Sequence, residues 1–289
     1  MNTSPARFDA PAARYLALAD HGRSAAWLYL PGVALLALVW IVGGAYAYAL
    51  TLRLPLGEIT EFVAINASIL VLLAGVVMVT AVLHRRPWLT LVTPSPRVDW
   101  RRMLQGAAAW MILAALFCAI ESLLYPGRYA WNLDIGRWLP FVAAALLLTP
   151  LQCAAEELVF RGYLMQAAGR LCRHPAVPAL FSSLVFTLPH LYNPEIAAYG
   201  LAIMAANYFA MGLSLAVITL RDGRLELAIG AHAGNNLLLV LFVHYEDSVF
   251  RTPSVFTAGA LDPVYSLVTL LLGAILFYGW FFGRSRARG

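Results

Sequence analysis

From Trp27 to Leu50 the chain carries no charged residue, and comparable apolar stretches recur until Phe282. A helix needs about 20 such residues to cross the ~30 Å hydrocarbon core of a bilayer. A helix also satisfies its backbone N–H and C=O groups within the segment, as lipid demands. Eight spans are expected, over residues 27–50, 62–83, 103–124, 138 to the glutamate pair at 156–157, 176–191, 197–220, 225–244 and 261–282. The fold class is therefore all-α, a polytopic transmembrane helix bundle of about eight spans. Composition agrees, with 61% of residues hydrophobic and 12% charged, against about 25% charged in a soluble domain.

All 20 basic residues are arginine. Along this topology 16 of them fall on one side of the spans, and Arg53, Arg128, Arg137 and Arg251 fall on the other. Basic residues are retained on the cytoplasmic side, which puts both termini in the cytoplasm. The same bias accounts for the net charge of +5 and calls for no nucleic acid. The chain divides into a cytoplasmic tail (1–26), N-terminal spans with a basic, Trp-containing connector (27–137), a membrane core (138–245), and an outer loop, last span and basic tail (246–289). His84, Arg85 and Arg86 read as a cytoplasmic membrane anchor, and Glu121 as a group solvated at the outer interface. Ala47-Tyr-Ala49 imitates a signal-cleavage site, but the preceding tail is long and weakly basic and the apolar run is long for a signal peptide. Cys118, Cys153 and Cys172 form no CxxC pair, which argues against a disulfide framework or a thiolate metal site. His244, Glu246 and Asp247 lie together in the outer loop, and the sequon at Asn66 is out of reach inside a span. The Arg-only, Ala- and Leu-rich composition points to a bacterial gene and so to the plasma (inner) membrane.

Three polar patterns break the second half of the chain: Glu156-Glu157-x-x-x-Arg161, Phe186-x-x-x-His190 and His232-x-x-x-Asn236. A charge at mid-membrane costs roughly 2.5–3.5 kcal/mol even on insertion scales, so these groups are expected to act or to be paired. Glu157 and Arg161 are i and i+4 on a helix and share a face. Glu156 points about 100° away and keeps no such partner. If residues 138–172 form one helix turning at Arg173, then Glu156 and His190, each 17 residues from the turn, are level. His232, about 10 Å in from its helix start, reaches the same depth if that hairpin projects into the cytoplasm. A buried glutamate suits a general base, and an amide with a histidine N–H suits a developing oxyanion. Alternatively, the histidines and one glutamate hold a metal whose bound water attacks. The residue types fit both schemes. They also fit a cavity that binds or conducts a small ligand or proton.

The ordered set EExxxR, FxxxH and HxxxN, with Arg161-Gly162-Tyr163-Leu164, Phe209-x-x-Gly212 and Arg221-Asp-Gly223 between them, resembles the type II CAAX prenyl endopeptidase family, also called CPBP or ABI proteins. The resemblance covers residues 144–243. It implies an all-helical bundle with an intramembrane protease site. It would make Glu156 the water-activating glutamate, with His190, His232 and Asn236 completing the site and Glu157, Arg161 and Phe186 in support. Members are described both as glutamate-based and as metal-dependent, so zinc held by Glu156, His190 and His232 stays open. The implied partner is a peptide or protein substrate, prenylated in the namesake reaction, met at the lipid bilayer. Self-immunity to a bacteriocin by binding is the family's non-proteolytic alternative.

Overall fold

The computed structural model describes residues 9–245, 248–249 and 252–283. Arg7, Glu246, Asp247, Arg251, Arg284, Arg286 and Arg288 lie outside the described residues, and with them most of the expected His244–Glu246–Asp247 grouping. Ten helices follow in order among the described residues: α1 (Asp9–Leu16), α2 (Ala26–Thr51), α3 (Gly57–Val82), α4 (Trp100–Leu124), α5 (Ile135–Leu171), α6 (Ala176–His190), α7 (Pro194–Tyr199), α8 (Leu201–Asp222), α9 (Glu226–Phe242) and α10 (Pro263–Phe282). Six of them, α2–α5, α8 and α10, are long and apolar enough to cross a membrane by length and composition. The protein is an integral membrane protein with a helical-bundle fold. Asp99, Asp134 and Asp262 open α4, α5 and α10, each carboxylate accepting a backbone N–H of the first turn.

The two shorter apolar helices, α6 with 15 residues and α9 with 17, complete the eight expected segments. α9 is buried on nearly every side, which explains why its sequence is apolar all round rather than on one stripe. Its close approach to α4 depends on small residues. A Cβ on Gly230 would sit 1.9 Å from the Met103 carbonyl oxygen, one on Gly234 2.3 Å from that of Ala107, and one on Gly106 2.4 Å from that of Leu227.

The expected sixth span is two helices. Gly200, at φ 97°, breaks α7 from α8, a conformation that glycine adopts without a Cβ penalty. The expected seventh ends early, because the chain leaves α9 for a strand. β1 (Tyr129–Trp131), β2 (Val243–Tyr245) and β3 (Phe256–Ala258) form a small sheet in the order β1-β3-β2, with β1 antiparallel and β2 parallel to β3. Three-residue strands leave too little pattern for sequence to register.

At the arginine-rich end the described part of the N-terminal segment, from residue 9 on, packs against the bundle. Tyr15, Leu16 and Leu18 are buried. Tyr15 donates to the Leu91 carbonyl at 2.7 Å, Arg86 Nη1 to that of Leu18 at 3.1 Å, and Asp20 pairs with Arg170. The anchor reading of His84 and Arg86 is corrected here, since both are buried. His84 Nδ1 donates to the Arg23 carbonyl at 3.1 Å, and its Nε2 meets the Tyr163 hydroxyl at 2.8 Å. Burial holds the His84 imidazole below its ordinary pKa, against the Arg23 hydrogen bond and with help from the Arg86 charge. Nearby, Arg102 pairs with Asp222 at 2.6 Å and Arg224 with Asp99 at 3.2 Å. Glu121 also departs from expectation: it accepts from the Tyr129 hydroxyl and pairs with Arg128 at 3.0 Å, so little of it meets solvent.

Candidate active site

α5 runs unbroken past the glutamate pair to Leu171, as the level argument required, and α6 returns beside it. Directly after Glu157, α5 loosens into π geometry from Leu158 to Leu164, a distortion frequent at functional sites. The two glutamates divide as their spacing implies. Glu157 is fully buried and its Oε1 accepts from Arg161 Nη1 at 2.7 Å. The other guanidinium nitrogen, Nη2, donates to the Gly212 carbonyl on α8 at 2.9 Å. The same guanidinium lies 4.3 Å from the Phe186 ring centroid. One planar cation thus joins α5, α6 and α8.

Glu157 does more than pair with Arg161. Its Oε1 also accepts from His232 Nδ1 at 2.9 Å. That bond turns His232 Nε2 towards Glu156, whose Oε2 is 3.9 Å away. Glu156 Oε1 accepts from Gln152 Nε2 at 3.2 Å, and the residue lines a cavity. His190 donates from Nδ1 to the Phe186 carbonyl at 2.7 Å, which leaves Nε2 as an acceptor. Its ring is held between Phe186 at 4.4 Å and Tyr208 at 4.7 Å. Phe186 takes the packing role expected of it, behind both histidines. On α9 the Asn236 amide oxygen accepts from Asn235 Nδ2 at 3.1 Å, and Asn235 in turn accepts from Trp110 Nε1 at 3.1 Å.

Glu156, His190, His232 and Asn236 all line one cavity of about 740 Å³. Its walls are mostly apolar, with Leu36, Trp40, Leu72, Met211 and Leu238 among the lining residues. Glu195 on α7 reaches the outer part, where Tyr245 and the Val249 N–H donate to it at 3.3 Å each. Burial raises the Glu195 carboxyl above the usual carboxylate range, opposed by these bonds. Among the described residues no three His, Cys, Asp or Glu side chains converge to hold a metal ion. Glu156, His190 and His232 share the cavity, and the Glu157 bond at Nδ1 leaves His232 Nε2 directed towards Glu156.

Gln152, Trp110 and Tyr208 were not singled out from sequence. Gln152 was legible, since it precedes Glu156 by one turn on the same face. Trp110 and Tyr208 come from α4 and α8, and no local pattern links them to the motifs.

YyaK of Bacillus subtilis (strain 168) is 28% identical over 219 residues, covering 74% of this chain and 73% of that protein. No solved structure matches. Residues 136–238, which hold every member of the three motifs, match the family profile of Type II CAAX prenyl endopeptidase Rce1-like proteins, the family that the sequence resembles.

Proposed function

We propose that the protein is an intramembrane endopeptidase that cleaves a peptide bond with water activated by Glu156. The observation that carries this reading is the division of labour between adjacent glutamates. Glu157 is consumed by Arg161 and His232, while Glu156 faces the cavity with His232 Nε2 at 3.9 Å. In the proposed step, a water donates one proton to Glu156 and hydrogen-bonds to the free Nε2 of His190. Its oxygen attacks the scissile carbonyl carbon. The resulting oxyanion accepts from the Asn236 amide N–H and from His232 Nε2–H, while Glu157 accepts from Nδ1 of the same ring. On collapse the C–N bond breaks and Glu156 returns the proton to the leaving amine nitrogen. Two donors held in place before the charge develops are the kind of stabilisation that dominates acyl transfer.

The substrate class is a peptide or protein segment entering from the bilayer near the cytoplasmic face, and a prenylated CAAX tail suits the apolar walls. The proposed step uses this chain's own side chains, and the chelator arm of the test decides whether a metal is also required. The test is cleavage of a quenched, prenylated CAAX peptide by purified protein, wild type against Glu156→Gln, with and without chelator. Loss in the variant and indifference to chelator are expected. Cleavage retained by Glu156→Gln would sink the assignment. An inert, well-folded wild type would turn attention to a binding or transport role for the cavity.

A further inference from the structure

The Asn236 side chain can serve an oxyanion only if its amide nitrogen, not its oxygen, faces the cavity. Nothing within the helical motif decides that, because an amide offers donors and an acceptor of similar shape. The decision comes from α4, outside the family-matched stretch of residues 136–238. The Trp110 indole is buried, 3% exposed, and its Nε1–H can only donate. It lies 3.1 Å from Asn235, which must therefore present its oxygen to the indole. The Asn235 nitrogen is then directed to Asn236 at 3.1 Å, so the Asn236 oxygen is the acceptor there. The Asn236 NH2 is left for the cavity that both asparagines line and for the neighbouring Cys153 thiol.

We propose that Trp110 and Asn235 are positioning residues: a donor-only indole sets the direction of an amide chain that aims the Asn236 N–H groups at the reacting carbonyl. The inference rests on the endopeptidase reading above. It adds that a residue of the N-terminal half, on a helix the motif does not include, sets the polarity of the site. The glycine contact between α4 and α9 holds the two ends of this chain in register.

Trp110→Phe deletes the N–H and keeps a ring; Asn235→Leu deletes the chain while filling its space. Asn235→Leu is expected to lower kcat about 100-fold with KM unchanged, as loss of one oxyanion donor does. Trp110→Phe is expected to produce a smaller loss with the same split. In an Asn236→Leu background neither change should lower kcat further, because the residue they aim is gone. Asn235→Asp provides a sharper readout. Protonated, its O–H donates to Asn236 as the amide did; ionised, it only accepts and turns Asn236 round. The ratio of variant to wild-type kcat should fall as pH rises, with Glu156, Glu157 and His232 the charged groups near it. Unchanged kcat in Trp110→Phe and Asn235→Leu, or equal losses in the Asn236→Leu background, would overturn the proposal. If the wild type cleaves nothing and Glu156→Gln is indistinguishable from it, the endopeptidase reading has failed. The chain is then judged by the Trp110 indole ¹⁵N–¹H resonance, identified with Trp110→Phe. It should move on both Asn235→Leu and Asn236→Leu, and a resonance unmoved by Asn235→Leu rejects the chain of bonds outright.

Discussion

At the level of single residues, Glu156 and Glu157 are identical side chains in opposite surroundings. Glu157 is fully covered and neutralises Arg161, which is equally covered. Removing one partner of such a pair strands the other charge, so Glu157→Ala should cost about 3–5 kcal/mol. Thermal unfolding in detergent measures this, and a melting temperature equal to wild type would refute the structural role. Glu156 accepts a hydrogen bond from Gln152, lies 3.9 Å from His232 and lines the cavity. Glu156→Gln should therefore melt like wild type while losing cleavage. This division was legible from the i, i+4 spacing of Glu157 and Arg161 alone. The bond from His232 to Glu157 was not, because 75 residues separate them.

At the scale of the element, α9 matters most. It carries His232 and Asn236 on one side and the glycines that touch α4 on the other. At Gly230 even a methyl group would meet backbone, which cannot swing aside as a flexible side chain can. Gly230→Ala should therefore push the helices apart, at a cost of about 1–3 kcal/mol as overpacking. A displacement of about 1 Å at a reacting group can cost around 100-fold in rate, so cleavage should fall further than stability. Wild-type kcat in a folded Gly230→Ala variant would show that α9 needs no such close fit. The helix itself was expected from hydropathy at almost its observed limits. Its central burial was not, since an apolar sequence alone does not tell protein neighbours from lipid.

At the scale of the whole molecule, the N-terminal segment closes the arginine-rich end through Tyr15, Arg86 and His84. His84 joins Arg23 to Tyr163, and Tyr163 belongs to the π segment of α5 that also carries Arg161. Burial keeps the folded-state pKa of His84 below its ordinary 6.5. The unfolded chain then binds more protons than the folded one in that window, so stability rises with pH there. The contribution of His84 is present above 6.5 and is lost as pH falls through that value towards the folded pKa. Between about pH 7.5 and about pH 5, the melting temperature of wild type should drop more than that of His84→Gln, whose amide can make both bonds without titrating. Equal drops would remove His84 from the account.

The helical bundle, the positions of its long spans and the three motifs that meet at the cavity were all legible in the amino-acid sequence. Those follow from local rules: hydropathy over about 20 residues and the 3.6-residue period that puts i and i+4 on one face. The tertiary structure decided the rest: which carboxylate His232 faces, which way Asn236 turns, the split at Gly200, and the packing of the N-terminal segment. Each of these depends on hydrogen bonds, close approaches or backbone breaks that hydropathy and helical period do not encode. Trp110 is the clearest case, because an indole on α4 acquires its meaning only from the asparagine that α9 brings to within 3.1 Å of it.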